Sequence, residues 1–134
     1  MMTTDKEVQR LVELAVKASQ KAYAPYSHYP VGAALRAKDG TIYTGCNVEN
    51  AAYPATICAE RTALVKAVSE GQHEFDLLVV VTRTSGSPCG VCRQMLFEFA
   101  PDLPVIIGDL DGQIHAECRL SDLLPRGFGP QHLE

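Results

Sequence analysis

Leu77-Leu78-Val79-Val80-Val81-Thr82, followed shortly by Ser87-Pro88-Cys89-Gly90-Val91-Cys92, is the stretch that decides the fold. The first run is continuously apolar and β-branched, which predicts a strand buried on both faces. Such strands belong to sheets with helices on each side. Ser87 is a good helix cap and Pro88 suits a first helical position. A helix is therefore predicted from about Cys89 to Phe99, stopped by Pro101. Val105 to Gly108 reads as the next short buried strand. A strand, a helix and a strand in series imply parallel pairing.

Upstream, residues 5 to 22 place Val8, Leu11, Val12, Ala15 and Ala22 at helical spacing between charges. Ala24-Pro25-Tyr26 breaks that pattern. Val31 to Lys38 and Thr41 to Val48 read as two strands joined by Asp39-Gly40, a strong hairpin signal. Ala59 to Glu70 reads as a second helix with Gly71 as its stop. Downstream, Asp111-Gly112 marks a turn, Gln113 to Cys118 a last strand and Ser121 to Leu124 a short helix. The tail, about 126–134, holds Gly127, Gly129 and Pro130 and is expected to be irregular. The order predicts an α/β fold, a three-layer α/β/α sandwich with a mixed central sheet. No linker or repeat interrupts it, so residues 1–134 are expected to form a single domain.

Composition narrows the function. The chain has 134 residues, 46% of them hydrophobic and 21% charged, with a formal net charge of -4. That size buries about two-thirds of the unfolded surface, and disorder is excluded. The longest apolar run is Leu77 to Val81, far too short for a membrane helix. The N-terminus shows no apolar signal core, so a cytoplasmic location is expected. The 12 Lys and Arg residues are scattered and the pI is near 5.5. A nucleic-acid partner, which needs a basic patch, is not expected. A small ligand fits better.

The five cysteines, Cys46, Cys58, Cys89, Cys92 and Cys118, are odd in number and sparse. In a reducing compartment such a set points to metal or redox chemistry rather than disulfides. Cys89 and Cys92 share a face in the first turn of one helix. Helix N-termini favour thiolate over thiol, and Cys58 stands just before a second helix. Three soft ligands plus water describe a catalytic zinc site, whereas four protein ligands describe a structural one. Glu60 favours the first, because an acid beside an open zinc position can shuttle protons. Residues two apart on a helix point roughly 200° apart. Cys58 must therefore sit at the helix end if both side chains are to reach one metal. Arg61 is placed to donate hydrogen bonds to the thiolates and restore the acidity of the bound water.

Cys58-Ala59-Glu60-Arg61 together with Pro88-Cys89-Gly90-Val91-Cys92-Arg93-Gln94 resembles the signature of the zinc-dependent cytidine deaminases, in their three-cysteine branch. Gly45-Cys46-Asn47-Val48-Glu49-Asn50-Ala51-Ala52-Tyr53 and Ala22-Tyr23-Ala24-Pro25-Tyr26-Ser27 are similar to the members that act on free nucleosides. The likeness spans about residues 8 to 128. It implies hydrolysis of cytidine, and of deoxycytidine, to the uridine product and ammonia, in pyrimidine salvage. Cys58, Cys89 and Cys92 would bind one Zn²⁺ per subunit. Glu60 would take a proton from the zinc-bound water and pass it to N3, the hydroxide would attack C4, and Glu60 would deliver a further proton to the departing amino group. Asn47 and Glu49 would hold the ribose, and the backbone at Ala59 the base. Tyr29 would stack on the pyrimidine. A neighbouring subunit would contribute Phe128, and Tyr53 would lie near a subunit boundary, so the resemblance implies a homotetramer.

Tyr29 stands where phenylalanine is frequent, and Val91 where a smaller residue is common. Without the resemblance, Tyr29 and Phe128 read as packing residues. Cys46 and Cys118 read as plain buried thiols, and His28, His73, His115 and His132 show no ligand spacing. Two other readings compete. One is deamination of another cytosine compound, such as a blasticidin-type antibiotic, which Asn47 and Glu49 oppose. The other is a structural zinc or thiol-redox domain with Cys46 as a fourth ligand, which leaves Glu60 without a role.

Overall fold

A computed structural model describes residues 5–133. Helix α1 covers Asp5–Ser19. It precedes strands β1, Gly32–Ala37, and β2, Ile42–Cys46. A 3-10 turn over Tyr53–Ala55 leads to α2, Ala59–Ser69, and then to β3, Phe75–Thr82. Helix α3, Gly90–Phe99, is followed by β4, Pro104–Asp109, β5, Ile114–Arg119, and the single turn α4, Leu120–Leu123. The element order is the expected one.

The strands form one sheet in the order β2-β1-β3-β4-β5. β1 is antiparallel to both β2 and β3, while β3 and β4 pair in parallel and β5 is antiparallel to β4. Both strand-helix-strand crossovers thus join strands of one direction. Only β3 and β4 lie side by side, because the opening hairpin folds β1 between β2 and β3. The sheet is mixed for that reason.

Alternation along the strands sorts the core into two layers. Ala34, Leu77, Val79, Val81 and Ile106 pack on Val8, Leu11, Val12 and Ala15 of α1. Ala33, Leu35, Leu78, Val80, Val105 and Ile107 pack on Ala63, Leu64, Ala67, Leu96 and Phe97 of α2 and α3. β3 is buried on both faces, as its apolar run requires. Each fully buried Leu or Val contributes about 1.5–3 kcal/mol of transfer free energy. Helices cover both faces of the sheet, and the architecture is the expected α/β/α sandwich.

Two glycines set how closely the layers approach. A Cβ on Gly32 would stand 1.8 Å from the Ala15 carbonyl oxygen, so α1 rests directly on β1. A Cβ on Gly45 would stand 2.5 Å from the Ala59 carbonyl oxygen and 2.6 Å from the Ala63 nitrogen. Helix α2 therefore lies backbone to backbone on β2. The hairpin turn uses Gly40 at φ +96°, and Gly71 at φ +94° ends α2. There the Gly71 and Gln72 amides donate to the Val68 and Ala67 carbonyls, closing the helix end.

Several boundaries differ from the sequence reading. α1 stops at Ser19 rather than at residue 22, because the Tyr23 amide leaves the helix to donate to the Asn47 carbonyl. β3 begins two residues earlier, at Phe75, where it pairs with Ala37. α3 is capped by Cys89, not Ser87. β2 ends at Cys46, so Asn47 and Glu49 lie beyond it, flanking Val48, which forms isolated bridges with Tyr23 and Ile57. The tail is not wholly irregular: Pro130–Leu133 forms a 3-10 turn, and Glu134 lies outside the described residues.

Candidate metal centre

β2 and β3 run in the same direction and end at the same edge of the sheet, and the chain turns there into α2 and α3. The two helix N-termini meet at that edge. Cys58 is the N-cap of α2 at φ -73°, ψ 157°, and Cys89 is the N-cap of α3 at φ -68°, ψ 166°. Extended geometry at a cap lifts each thiol off the helix surface and over its N-terminus. That resolves the constraint on Cys58 and Glu60, since only Glu60 lies in regular helix. Neither cysteine side chain hydrogen-bonds the first amides of its helix. The first amides of both helices, which have no partner within a helix, are left as positive dipole ends beside the sulfurs.

The Cys58 and Cys89 sulfurs are 3.6 Å apart, and those of Cys89 and Cys92 3.4 Å. All five cysteines are free thiols. A tetrahedral zinc with bonds of about 2.3 Å needs sulfurs about 3.8 Å apart, so the donor set fits with a slight opening. Among the described residues no fourth Cys, His, Asp or Glu joins this cluster. Cys46 and Cys118 are partly buried elsewhere, and Cys118 packs against the core. Cys92 is buried, Cys58 half-buried and Cys89 exposed, so the cluster opens to the surface on the Cys89 side.

The charges around the sulfurs are unequal. The hydrogen bond from Cys92, together with those from Arg61 and Cys89, holds the Cys58 thiol down at about 5 against its burial. The same bond and burial push the Cys92 thiol up. Arg61 donates from Nη2 to the Thr56 carbonyl at 3.0 Å and to the Cys58 sulfur at 3.7 Å. Its Nε is buried without a partner, a donor left over beside the sulfurs. Glu60 is only 4% exposed. Burial, assisted by the Cys58 charge, pushes its carboxyl up to about 7.

Arg93 holds the other side of the centre. It donates to the Pro88 carbonyl at 2.6 Å, the Leu123 carbonyl at 2.7 Å and the Ser87 hydroxyl at 2.7 Å. Ser87 thus serves Arg93 instead of capping α3. Arg93 stands within the quoted motif, but its role there is legible only once α4 is seen beside the ligand turn.

Of the remaining expected residues, two line one cavity. Glu49 accepts the Tyr26 and Ser27 amides at 3.0 and 3.1 Å and the Ser27 hydroxyl. Those bonds hold its carboxyl below the usual carboxylate range. Glu49 and Tyr53, with Tyr26, Ser27, Asn50 and Thr56, bound a cavity of about 360 Å³. Thr56, through Arg61, ties that cavity to the cluster. Asn47 is buried, and its amide is committed to backbone. It accepts from the Val31 amide at 2.9 Å and donates to the Tyr29 carbonyl at 2.9 Å. Ala59 is buried at the start of α2. Tyr29 is partly buried, with its hydroxyl 2.6 Å from that of Thr84. Tyr53 is 72% exposed, edge-on to Tyr26. Phe128 is 53% exposed, stacked on His132, and its carbonyl accepts from Gln94. Sequence reasoning gave Ser27 no role of its own and missed Thr56 and Thr84. Short hydroxyl residues carry no spacing signal, and their partners are distant in the chain.

Known proteins resemble this chain along most of its length. Residues 5–108 match the family model described as the cytidine and deoxycytidylate deaminase zinc-binding region. The chain is 51% identical over 130 residues to a cytidine deaminase of Sporosarcina psychrophila, covering 95% of each. It is 34% identical over 125 residues to a blasticidin-S deaminase of Bacillus cereus, covering 86% of this chain and 87% of that one. The fold superposes on a crystal structure of cytidine deaminase from Burkholderia pseudomallei with a TM-score of 0.85 at 44% identity. That match covers 94% of this chain and 100% of the other.

Proposed function

The chain belongs to the cytidine and deoxycytidylate deaminase zinc-binding family, and from that premise we infer that it is a zinc-dependent hydrolase converting cytidine, and deoxycytidine, to the uridine product and ammonia. The observation that carries the reading is the open three-sulfur cluster at two helix N-termini, with buried Glu60 two residues from Cys58. Cys58, Cys89 and Cys92 would hold the metal. When bound, zinc lowers the pKa of a water in its fourth position to near neutrality and so supplies a nucleophile.

Glu60 is suited to moving protons because burial has raised its carboxyl to about 7. A carboxyl poised near the working pH both accepts and returns a proton at small cost. It would take a proton from water and protonate N3 of the cytosine ring, then take the proton of the new C4 hydroxyl and deliver it to the departing amino group. Water adds at C4 and ammonia leaves, so the atoms balance. Arg61 withdraws charge from the sulfurs through its contact with Cys58.

Tyr29 would stack on the base and the Ala59 backbone would contact it. Glu49 would hold the ribose hydroxyls from the position that its bonds to Tyr26 and Ser27 fix. Asn47, anchored by its bonds to Tyr29 and Val31, would hold the ribose with Glu49 through the remaining donor of its amide. Exposed Tyr53 and Phe128 would complete the pocket across subunit boundaries in a homotetramer. Exposed apolar side chains of this size are commonly interface residues. We place the enzyme, as one domain over residues 1–134, in pyrimidine salvage in the cytoplasm, where thiolate ligands stay reduced. Among the described residues no helix is long and apolar enough to cross a membrane.

The test is the ultraviolet loss of the cytidine chromophore with purified protein, run beside a zinc assay and Glu60→Gln. Turnover by the parent, with zinc retained and turnover reduced about 100-fold or more in the variant, is expected for a positioned proton shuttle. Zinc bound in both with no turnover of cytidine or deoxycytidine would sink the reading. Turnover of a blasticidin-type substrate instead would favour the antibiotic deaminases, to which the chain is less similar.

A further inference from the structure

Tyr29 is the residue whose hydroxyl distinguishes this chain from the frequent phenylalanine, and the structure shows where that hydroxyl goes. It lies 2.6 Å from the Thr84 hydroxyl, on the segment that leaves β3 for the metal-ligating turn. Arg83 stands beside it with its guanidinium carbon 5.0 Å from the centre of the Tyr29 ring. The same Arg83 donates to the His28 carbonyl at 2.6 Å. Burial alone would raise the Tyr29 phenol, but hydrogen bonds with Thr82 and Thr84 and the Arg83 charge lower it.

Both joined segments carry a strained residue next to these contacts. His28 has φ 55° and Ser85 has φ 57°, the left-handed region that side chains with a Cβ adopt at a cost of roughly 1–2 kcal/mol each. Such conformations persist where surrounding contacts over-determine them. Three contacts here do so, joining residues 28–29 to residues 83–84. The Tyr29 amide is held as well, donating to the Ser27 hydroxyl at 3.1 Å, and Ser27 is bound to Glu49.

We propose that Thr84 and Arg83 are positioning residues that act through Tyr29, clasping the ring so that one face is offered to the pyrimidine while its hydroxyl is turned away from the substrate. The proposal rests on the deaminase reading above. Arg83 covers one face of the ring by a cation–π contact, which leaves a single face for a base. The hydroxyl bond pins the far end of the ring, which a phenylalanine would have to hold by packing alone, and Arg83 against the ring face opposes its turning about the long axis. The clasp also couples the substrate wall to the turn that carries Cys89, five residues beyond Thr84.

The experiment is steady-state kinetics on the zinc-loaded enzyme with cytidine, for the parent, Y29F, T84V, T84S and the double variant Y29F/T84V. Melting temperature and hydrogen exchange of segments 24–31 and 82–88 are followed in parallel. Loss of one hydroxyl pair is expected to raise KM about five-fold, with kcat changed by less than about two-fold. T84S is expected to keep the parent KM. The double variant is expected to be no worse than the worse single one, because each removes the same bond. Exchange is expected to quicken in both segments of T84V.

An unchanged KM in T84V with a lowered melting temperature would overturn the clasp as a positioning device. So would a double variant whose KM effect is the product of the singles. Should T84V fail to fold, Y29F against the parent reads the same contact. Absence of turnover in the zinc-loaded parent would instead sink the deaminase reading, and the pyrimidine role of the clasp with it.

Discussion

Glu60 shows how one buried carboxyl carries both chemistry and a cost in stability. Its pKa of about 7 lies above the ordinary 4.5 of an unfolded chain, and burial is the main cause. Between those values the native state binds more protons than the unfolded state, so stability falls as pH rises. Below about 4.5 the native form carries no such penalty; above about 7 it carries all of it. Relative to Glu60→Gln, the metal-free parent is expected to lose about 3 kcal/mol between pH 4.5 and 7.5, read by urea unfolding under reducing conditions. Parallel pH profiles for the two proteins would show that the carboxyl is solvated after all. Cys46 offers a second test at this scale. It is only half-buried, its carbonyl accepts the Thr62 hydroxyl at 3.0 Å, and it lies outside the metal cluster. Cys46→Ser is therefore expected to retain one zinc per chain in a metal assay, whereas a fourth structural ligand would release it.

Among the elements, α2 carries the most consequence. Its first turn presents Cys58 and Glu60, and its position is set by the bare backbone of Gly45 on β2. A methyl group there meets the Ala59 carbonyl and the Ala63 amide, neither of which can move without shifting the helix. Gly45→Ala is expected to cost about 3 kcal/mol or more by thermal unfolding. Because the displaced turn carries a metal ligand, weaker zinc retention in a chelator titration is expected to accompany it. Most element types are legible in local patterning: the period of α1, the Asp39-Gly40 hairpin and the double-sided apolarity of β3. The start of α3 is not. Ser87-Pro88 has the chemistry of a helix start, yet Arg93 takes the Ser87 hydroxyl and Cys89 takes the cap. That choice depends on α4, which supplies the Leu123 carbonyl to the same Arg93.

At the scale of the whole molecule, the metal centre joins two helices from separate parts of the chain. Zinc that binds only the native state adds roughly 4 kcal/mol when present at a thousandfold excess over its Kd. Chelation is thus expected to lower the melting temperature markedly, while the Cys58→Ser variant, lacking a full site, responds little. The exposed aromatics give the other global prediction. Sedimentation of the zinc-loaded protein is expected to show a tetramer, and Phe128→Ala to shift it toward smaller species and raise KM together. A monomeric parent with full activity would remove the cross-subunit roles of Tyr53 and Phe128.

The sequence by itself determined the element order, the two-faced burial of β3, the three cysteines with Glu60 and Arg61, and the family resemblance. These are local signals, written in spacing and side-chain type within a few residues. Tertiary structure alone decided that β1 inserts between β2 and β3, that Asn47 spends its amide on the backbone of Tyr29 and Val31, and that the Tyr29 hydroxyl reaches Thr84. Each depends on partners 16 to 55 positions away. No period or motif records such a pairing, because only the packed layers bring the groups within hydrogen-bonding distance.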